Sequence, residues 1–304
     1  MIDRALLARL MEIEGTSGDE GRIADFLSRH LAETLPRARQ HRIGDTLLVS
    51  LGKPRVAVFA HTDSVGFTLA EKNRLLPVGY PDPRDGTPLR CTEGETVYRG
   101  RLRAAATEEE VFFRLDGEGP LASRWVYDTS PQLTEKMLAG AYLDNRMGVF
   151  NALHLLATVD DACVAFTTSE EVSGRGALDA ARWLYENTAI RQALISDITW
   201  ATNHTPPGKG PAVSLRDAHI PRKVFLDRVL DGAARSGIPY QYEIQSDGSS
   251  DGGMLERAGF GIDWLFIGAP EVGYHSADEK LRRDDAENML ALYAFLVDDL
   301  NRKP

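Results

Sequence analysis

The sequence predicts an α/β fold, with a mixed, mostly parallel central sheet sandwiched by helices and a small all-β domain inserted in it. Three observations carry that prediction. Short apolar runs alternate with amphipathic helical stretches over most of the 304 residues, as expected of strands covered on both faces. Between about residues 65 and 140 the alternation stops, Gly and Pro become frequent, and only short β-like runs occur. It then resumes to the C-terminus, in a chain long enough to bury a sizeable core in one or two domains.

In order, Ser17-Gly18-Asp19-Glu20 reads as a capping box that opens a helix running to about Leu35. TLLVSL (46–51) and the almost wholly apolar RVAVFA (55–60) read as strands. The 65–140 stretch holds PVGYPDPRDGTP and DGEGP, with β-like runs at ETVYRGRLRA and EEVFFRL. A helix then spans Arg146 to Ala157, a strand Cys163 to Thr168, and a helix about Leu178 to Asn187. A strand at ALISDI, a helix from about Arg222 to Ser236, a strand at YQYEIQ and a helix near Gly253 to Ala258 come next. IDWLFIG is a strand, and the last helix runs from about Arg283 to Leu300. The expected division is a main domain of residues 1–64 and 141–304, with 65–140 as the inserted β domain.

The net charge of −10 argues against a general nucleic-acid or anionic-membrane binder. Cys91 and Cys163 form no motif, and no disulfide framework is implied. The amphipathic N-terminus MIDRALLARLMEIEG lacks the continuous apolar segment of a secretory signal. No apolar run is long enough to cross a membrane as a helix. A cytoplasmic protein is expected.

The chemistry lies at the ends of the apolar runs. RVAVFA leads to His61-Thr62-Asp63, GAYL to Asp144, ACVAFTTS to Glu170-Glu171, ALIS to Asp197, and IDWLFIGAP to His275. Ligands of open α/β sheets bind beyond the carboxyl ends of the strands, so these side chains can converge. Imidazoles with several carboxylates suit zinc, and cobalt or manganese as well. One ion would leave a surplus of ligands, whereas two ions sharing a carboxylate would use the set. Adjacent buried carboxylates repel each other. One glutamate on a metal and the other free as a general base would explain the pair. Each piece alone has a plainer reading: His61-Thr62-Asp63 as a polar turn, Glu170-Glu171 as a solvated helix start, Asp144 as an N-cap. Their shared position at apolar strand ends is what favours a common site.

With those residues in view, the chain resembles the tetrahedral or glutamyl aminopeptidases, co-catalytic metallopeptidases of which some members have been labelled endoglucanases. The matching pieces are SGDEGRIADFL, AHTDSVGF, YLDNRMGV, TSEEVSGRGA, SDITWATNHTP, GKGPAVSLRD, GIPYQYEIQSDGSSDGGML and GYHSADEKLRRDDAENM. The resemblance implies a zinc-peptidase-like fold and two divalent ions, zinc first. It implies that Asp144 bridges them, that Glu171 and His275 complete one site, and that His61 and Asp197 complete the other. It implies Glu170 as general base and acid, and Asp63 as the group that holds His61 in orientation. The DGSSDGG stretch is implied to line the site with Asp247 or Asp251 near the substrate; a loop with Asp251 as N-cap is the plainer reading. Asn145 stands where many members carry a second Asp, and the insert is short for the family. The resemblance implies that the insert helps assemble subunits, so its shortness puts the large hollow dodecamer in doubt and leaves a dimer or smaller homo-oligomer open.

The resulting expectation is a metallo-aminopeptidase acting on peptides, with the insert serving oligomerisation or access. The alternatives are an N-acyl amino acid deacylase or carboxypeptidase on the same core, and a non-catalytic metal-binding assembly protein. The long gap between Asp63 and Asp144 has room for a domain, which favours the aminopeptidase layout. A glycosidase would need paired carboxylates flanking a sugar cleft without metal-type histidines. Loops around residues 199–210 and 246–253 are expected to build the specificity pocket.

Overall fold

The computed structural model describes residues 2–106 and 111–302. In chain order these form α1 (Arg4–Glu12), α2 (Gly21–Thr34), β1 (Arg39–Ile43), β2 (Thr46–Leu51) and β3 (Ala57–His61). Then come β4 (Gly66–Leu69), a 3-10 turn (Glu71–Asn73), β5 (Arg74–Val78), β6 (Pro88–Glu93), β7 (Thr96–Ala106), β8 (Val111–Gly117) and β9 (Arg124–Tyr127). Next are β10 (Gln132–Leu133), β11 (Met137–Ala139), α3 (Leu143–Thr158), β12 (Ala162–Thr167), α4 (Arg175–Asn187) and β13 (Gln192–Trp200). The chain finishes with β14 (Ala212–Arg216), α5 (Lys223–Ser236), β15 (Gln241–Ile244), α6 (Asp251–Ala258), β16 (Asp263–Val272), β17 (Lys280–Arg282) and α7 (Arg283–Arg302).

The large sheet runs β1-β2-β12-β3-β13-β16-β17-β11-β10, with β14 and β15 added beside β16. Its centre, β12-β3-β13-β16, is parallel. The period of two sorts each central strand onto two helical layers. Val58, Val164, Leu194 and Leu265 face α1, α2, α3, α5 and α7, while Phe59, Ala165, Ile195 and Trp264 face α4 and α6. That is why these strands read as unbroken apolar runs rather than alternating ones.

The stretch that lacked helical signals closes into a barrel, β4-β5-β8-β7-β6-β9. Closure pairs the edge strands of so small a sheet. Its core includes Phe67, Leu75, Leu89, Leu102 and Trp125, and the buried indole N–H donates to Ser123 Oγ at 3.0 Å. β10 and β11 lie on the large sheet, paired through β17.

The large sheet forks between β3 and β13. These two strands pair from Ala57↔Ala193 to Phe59↔Ile195 and no further. Beyond that point β3 stays with β12 to His61↔Thr167, and β13 stays with β16 to Trp200↔Glu271. The first turn of α3 fills the gap. Asn145 Nδ2 donates to Ser196 O at 2.9 Å, supplying a partner where the ladder has parted. A Cβ on Gly148 would meet Ser196 O at 2.2 Å, so only glycine lets the helix come this close.

Two local expectations are corrected. Ser17 does not cap α2: the cap is Glu20, without a side-chain hydrogen bond to the helix. The Ser17 hydroxyl donates to Asp63 instead, and the Glu20 carboxylate accepts from Ser169, so both side chains turn towards the strand ends. At α6 it is Ser250, not Asp251, whose side chain caps the helix, accepting from Gly252 N at 3.2 Å. No helix among the described residues is long and apolar enough to cross a membrane.

Candidate active site

His61 is the last residue of β3 and is buried. Its Nδ1 lies 3.2 Å from the main-chain oxygen of Asp63. Its Nε2 lies 3.2 Å from Asp144 Oδ1 and 3.4 Å from Asp197 Oδ2. His275 comes after β16, beyond a turn at Gly273, whose φ of +80° favours glycine. Its Nδ1 is 3.0 Å from Tyr80 O, and its Nε2 is 3.2 Å from Glu171 Oε2 and 3.4 Å from Asp144 Oδ2. The two sets of donors, His61–Asp144–Asp197 and Asp144–Glu171–His275, each fit within 4.8 Å and have Asp144 in common.

A carbonyl oxygen can only accept, so each Nδ1 facing one carries the ring proton. Each neutral ring then aims the lone pair of Nε2 at carboxylate oxygens. That arrangement is repulsive unless a cation lies between, and a divalent ion at each cluster meets the need. Without one, protons do the same work. Burial disfavours charge on His61, yet Asp197, Asp144 and Asp63 raise its pKa well above the usual value. Burial likewise opposes charge on His275, but Asp144 and Glu171 bring it up to about 12. Glu171 Oε1 is buried and has no hydrogen-bond partner, a further acceptor with nothing to bind.

The turn after β12 is pinned from below. The fully buried Asp63 carboxylate accepts from Ser17 Oγ at 2.6 Å, Glu170 N at 3.0 Å and Glu171 N at 3.1 Å. Its nearest approach to the His61 ring is 3.6 Å, so it holds the glutamate turn more directly than it holds the imidazole. Glu20 Oε1 braces the same turn, accepting from Ser169 N at 3.0 Å. Burial pushes the Glu170 carboxyl well above its ordinary value; Glu171 and Asp251 add to this and His61 opposes it. Asp197 lies inside β13 rather than at its end, but past the fork, where β3 no longer covers it.

Several contributors are invisible locally in the sequence. The barrel braces His275: Tyr127 Oη donates to its carbonyl at 3.0 Å, and Asp82 N does so at 2.9 Å. Arg146 is fully buried and donates to Leu10 O, Ile13 O and Thr62 O, tying the start of α3 to the end of β3. Asp251 Oδ2 accepts from Thr167 Oγ1 at 2.5 Å, beneath the glutamate turn, while Asp247 is exposed and does not line the cavity.

The cluster opens into a cavity of about 560 Å³. Thr199, Trp200, Gly248 and Ser249 line it from the two segments expected to do so. Asp217 and Glu243, outside both segments, line it as well. His204 is exposed and absent from the wall.

A family model described as M42 glutamyl aminopeptidase matches residues 122–292. A protein of Acetivibrio thermocellus, provisionally named an aminopeptidase, is 27% identical over 318 residues, covering 94% of this chain and 96% of its own length. Among solved structures, a TET aminopeptidase from a marine-sediment archaeon of the Thaumarchaeota superposes with a TM-score of 0.85 at 20% identity, covering 96% of this chain and 95% of that one. The TET1 peptidase of Pyrococcus horikoshii, described as assembling into a tetrahedron or a large octahedral shell, gives 0.80 at 20% identity, covering 96% and 98%.

Proposed function

The chain belongs to the M42 glutamyl aminopeptidase family and is thus a metal-dependent aminopeptidase, a hydrolase; from that premise we propose that it removes N-terminal residues from peptides with two divalent ions and Glu170 as general base. His61 and Asp197 would hold one ion, Glu171 and His275 the other, and Asp144 both. The observation that carries this reading is the pair of Nε2 atoms, each facing two carboxylates, with Asp144 between them. Zinc fits this donor set best, and cobalt or manganese fit it too.

Bound divalent ions supply Lewis acidity, which acidifies water and stabilises an oxyanion. The protein's own part is proton traffic and position. Glu170 lies on the cavity wall beside the cluster, and its raised pKa suits a group that must take a proton and return it. It would remove a proton from the attacking water and deliver it to the departing amine. Asp63 fixes the main chain on which Glu170 stands. The barrel within residues 65–140, with Tyr80 and Tyr127 against His275, would control access and contribute to assembly, beside a catalytic domain of 1–64 and 141–304 whose sheet β10 and β11 extend. The shells described for the Pyrococcus relative support a homo-oligomer here.

The test is hydrolysis of a leucyl peptide against its N-acetylated twin, with enzyme loaded with zinc or cobalt. Cleavage of the free-amine form alone is expected. Cleavage of the acetylated form alone would make the protein a deacylase.

A further inference from the structure

We propose that the cavity selects a basic N-terminal residue, lysine or arginine, through Asp217 and Glu243. This rests on the aminopeptidase reading and names the substrate class of the same site. Beyond the metal-type cluster and Glu170, the cavity wall carries these two carboxylates and, among the described residues, no lysine or arginine. Each is only 5% exposed. They come from neighbouring parts of the chain, since β14, which leads into Asp217, pairs with β15, which carries Glu243.

Both carboxylates are held in place. Asp217 Oδ1 accepts from His219 N at 2.6 Å, and Glu243 Oε1 accepts from the Thr199 hydroxyl. The His219 ring is 3.6 Å from Asp217, beyond hydrogen-bond reach. Two divalent ions would balance the charges of Asp144, Glu171, Asp197 and Glu170, and no described residue of the wall balances Asp217 and Glu243. Burial raises the pKa of both, opposed at Asp217 by the main-chain N–H and ring of His219 and at Glu243 by the hydroxyls of Thr199 and Ser214.

A lysine or arginine side chain supplies that cation and gains charge-assisted hydrogen bonds. The cavity also offers apolar surface to its methylene stem: Phe266, and Trp200 stacked on Tyr274 at 4.8 Å. An N-terminal leucine would desolvate both carboxylates further and bring no positive charge to them, and a glutamate would add a third carboxylate.

The experiment measures kcat/KM of the zinc- or cobalt-loaded enzyme on peptides that differ only in a free N-terminal Lys, Arg, Leu or Glu. Lys and Arg are expected to exceed Leu by about tenfold or more, with Glu lowest. Leu or Glu equal to or above Lys would overturn the proposal while leaving an aminopeptidase; no cleavage of any peptide would remove both readings. Glu243→Gln and Asp217→Asn keep the acceptors for Thr199 and His219, and each should lower the Lys-to-Leu ratio about tenfold, mainly through KM. An unchanged ratio in both would also overturn it. Independently of any variant, free lysine should inhibit the wild-type enzyme about tenfold more tightly than free leucine, and the reverse order would count against the proposal.

Discussion

Asp63 Oδ1 accepts a hydrogen bond from the main-chain N–H of Glu170 at 3.0 Å. The end of β3 thereby sets the position of the proposed base, and Ser17 and Glu171 complete the grip on the same carboxylate. In Asp63→Asn, whichever way the amide is turned, its NH2 group faces one of the two main-chain donors. One buried N–H loses its partner, at a cost of about 1–3 kcal/mol. The expected result is a protein less stable by that amount in chemical denaturation, with kcat lowered about tenfold to a hundredfold and both ions retained. Wild-type kcat in this variant would show that the grip on the turn is irrelevant to turnover.

Glu170→Gln tests the base itself. Glu170 stands outside both donor clusters, whereas Glu171 belongs to one and lies 3.2 Å from His275. Two ions per chain should remain by elemental analysis while kcat falls about a hundredfold to ten-thousandfold. Turnover near the wild-type rate would assign the proton transfer to another group.

Much of this arrangement is legible in the sequence because His61, Asp144, Glu170 and Glu171 each come after an apolar run that can only be a buried strand or the approach to a buried helix. The structure brings them together with Asp197 and His275 through the parallel centre of the sheet. What the sequence hides depends on distant pairing. The capping-box pattern at Ser17 is overridden because its hydroxyl is taken by the buried carboxylate of Asp63, 46 residues away in the chain. Tyr80 reaches His275 only because the barrel closes. Glu243 reaches the cavity wall only because β15 pairs with β14.

Metal binding should release protons. In the metal-free protein the pKa values of His61 and His275 lie above the unfolded histidine value, His275 at about 12. Folded pKa above unfolded means that the charged rings stabilise the metal-free fold fully below about pH 6.5; that contribution is lost only as pH rises through the folded pKa. At neutral pH both rings are therefore protonated before an ion arrives, and the ion must displace those protons. Calorimetry of zinc binding in buffers of different ionisation enthalpy should show net proton release and an affinity that rises from about pH 6 to about pH 8. Binding without proton release would contradict the direction of both shifts.

Asn145 tests whether the fork in the sheet matters to the site. The residue is fully buried, with Nδ2 on Ser196 O and Oδ1 accepting from Gly148 N, both at 2.9 Å. It therefore stands in for the ladder that β3 and β13 give up after Phe59 and Ile195. Its neighbour Asp144 is the one carboxylate common to both donor clusters. Asn145→Ala leaves a buried carbonyl and a buried N–H unpartnered, and destabilisation of about 1–3 kcal/mol per group is expected. With its anchor gone, Asp144 should hold the ions less well, so Asn145→Ala should need more zinc for half-maximal activity than the wild type. A variant that is destabilised but keeps wild-type zinc dependence would make Asn145 a fold residue only. A variant that is as stable as wild type would mean that Ser196 O finds another partner in the fork.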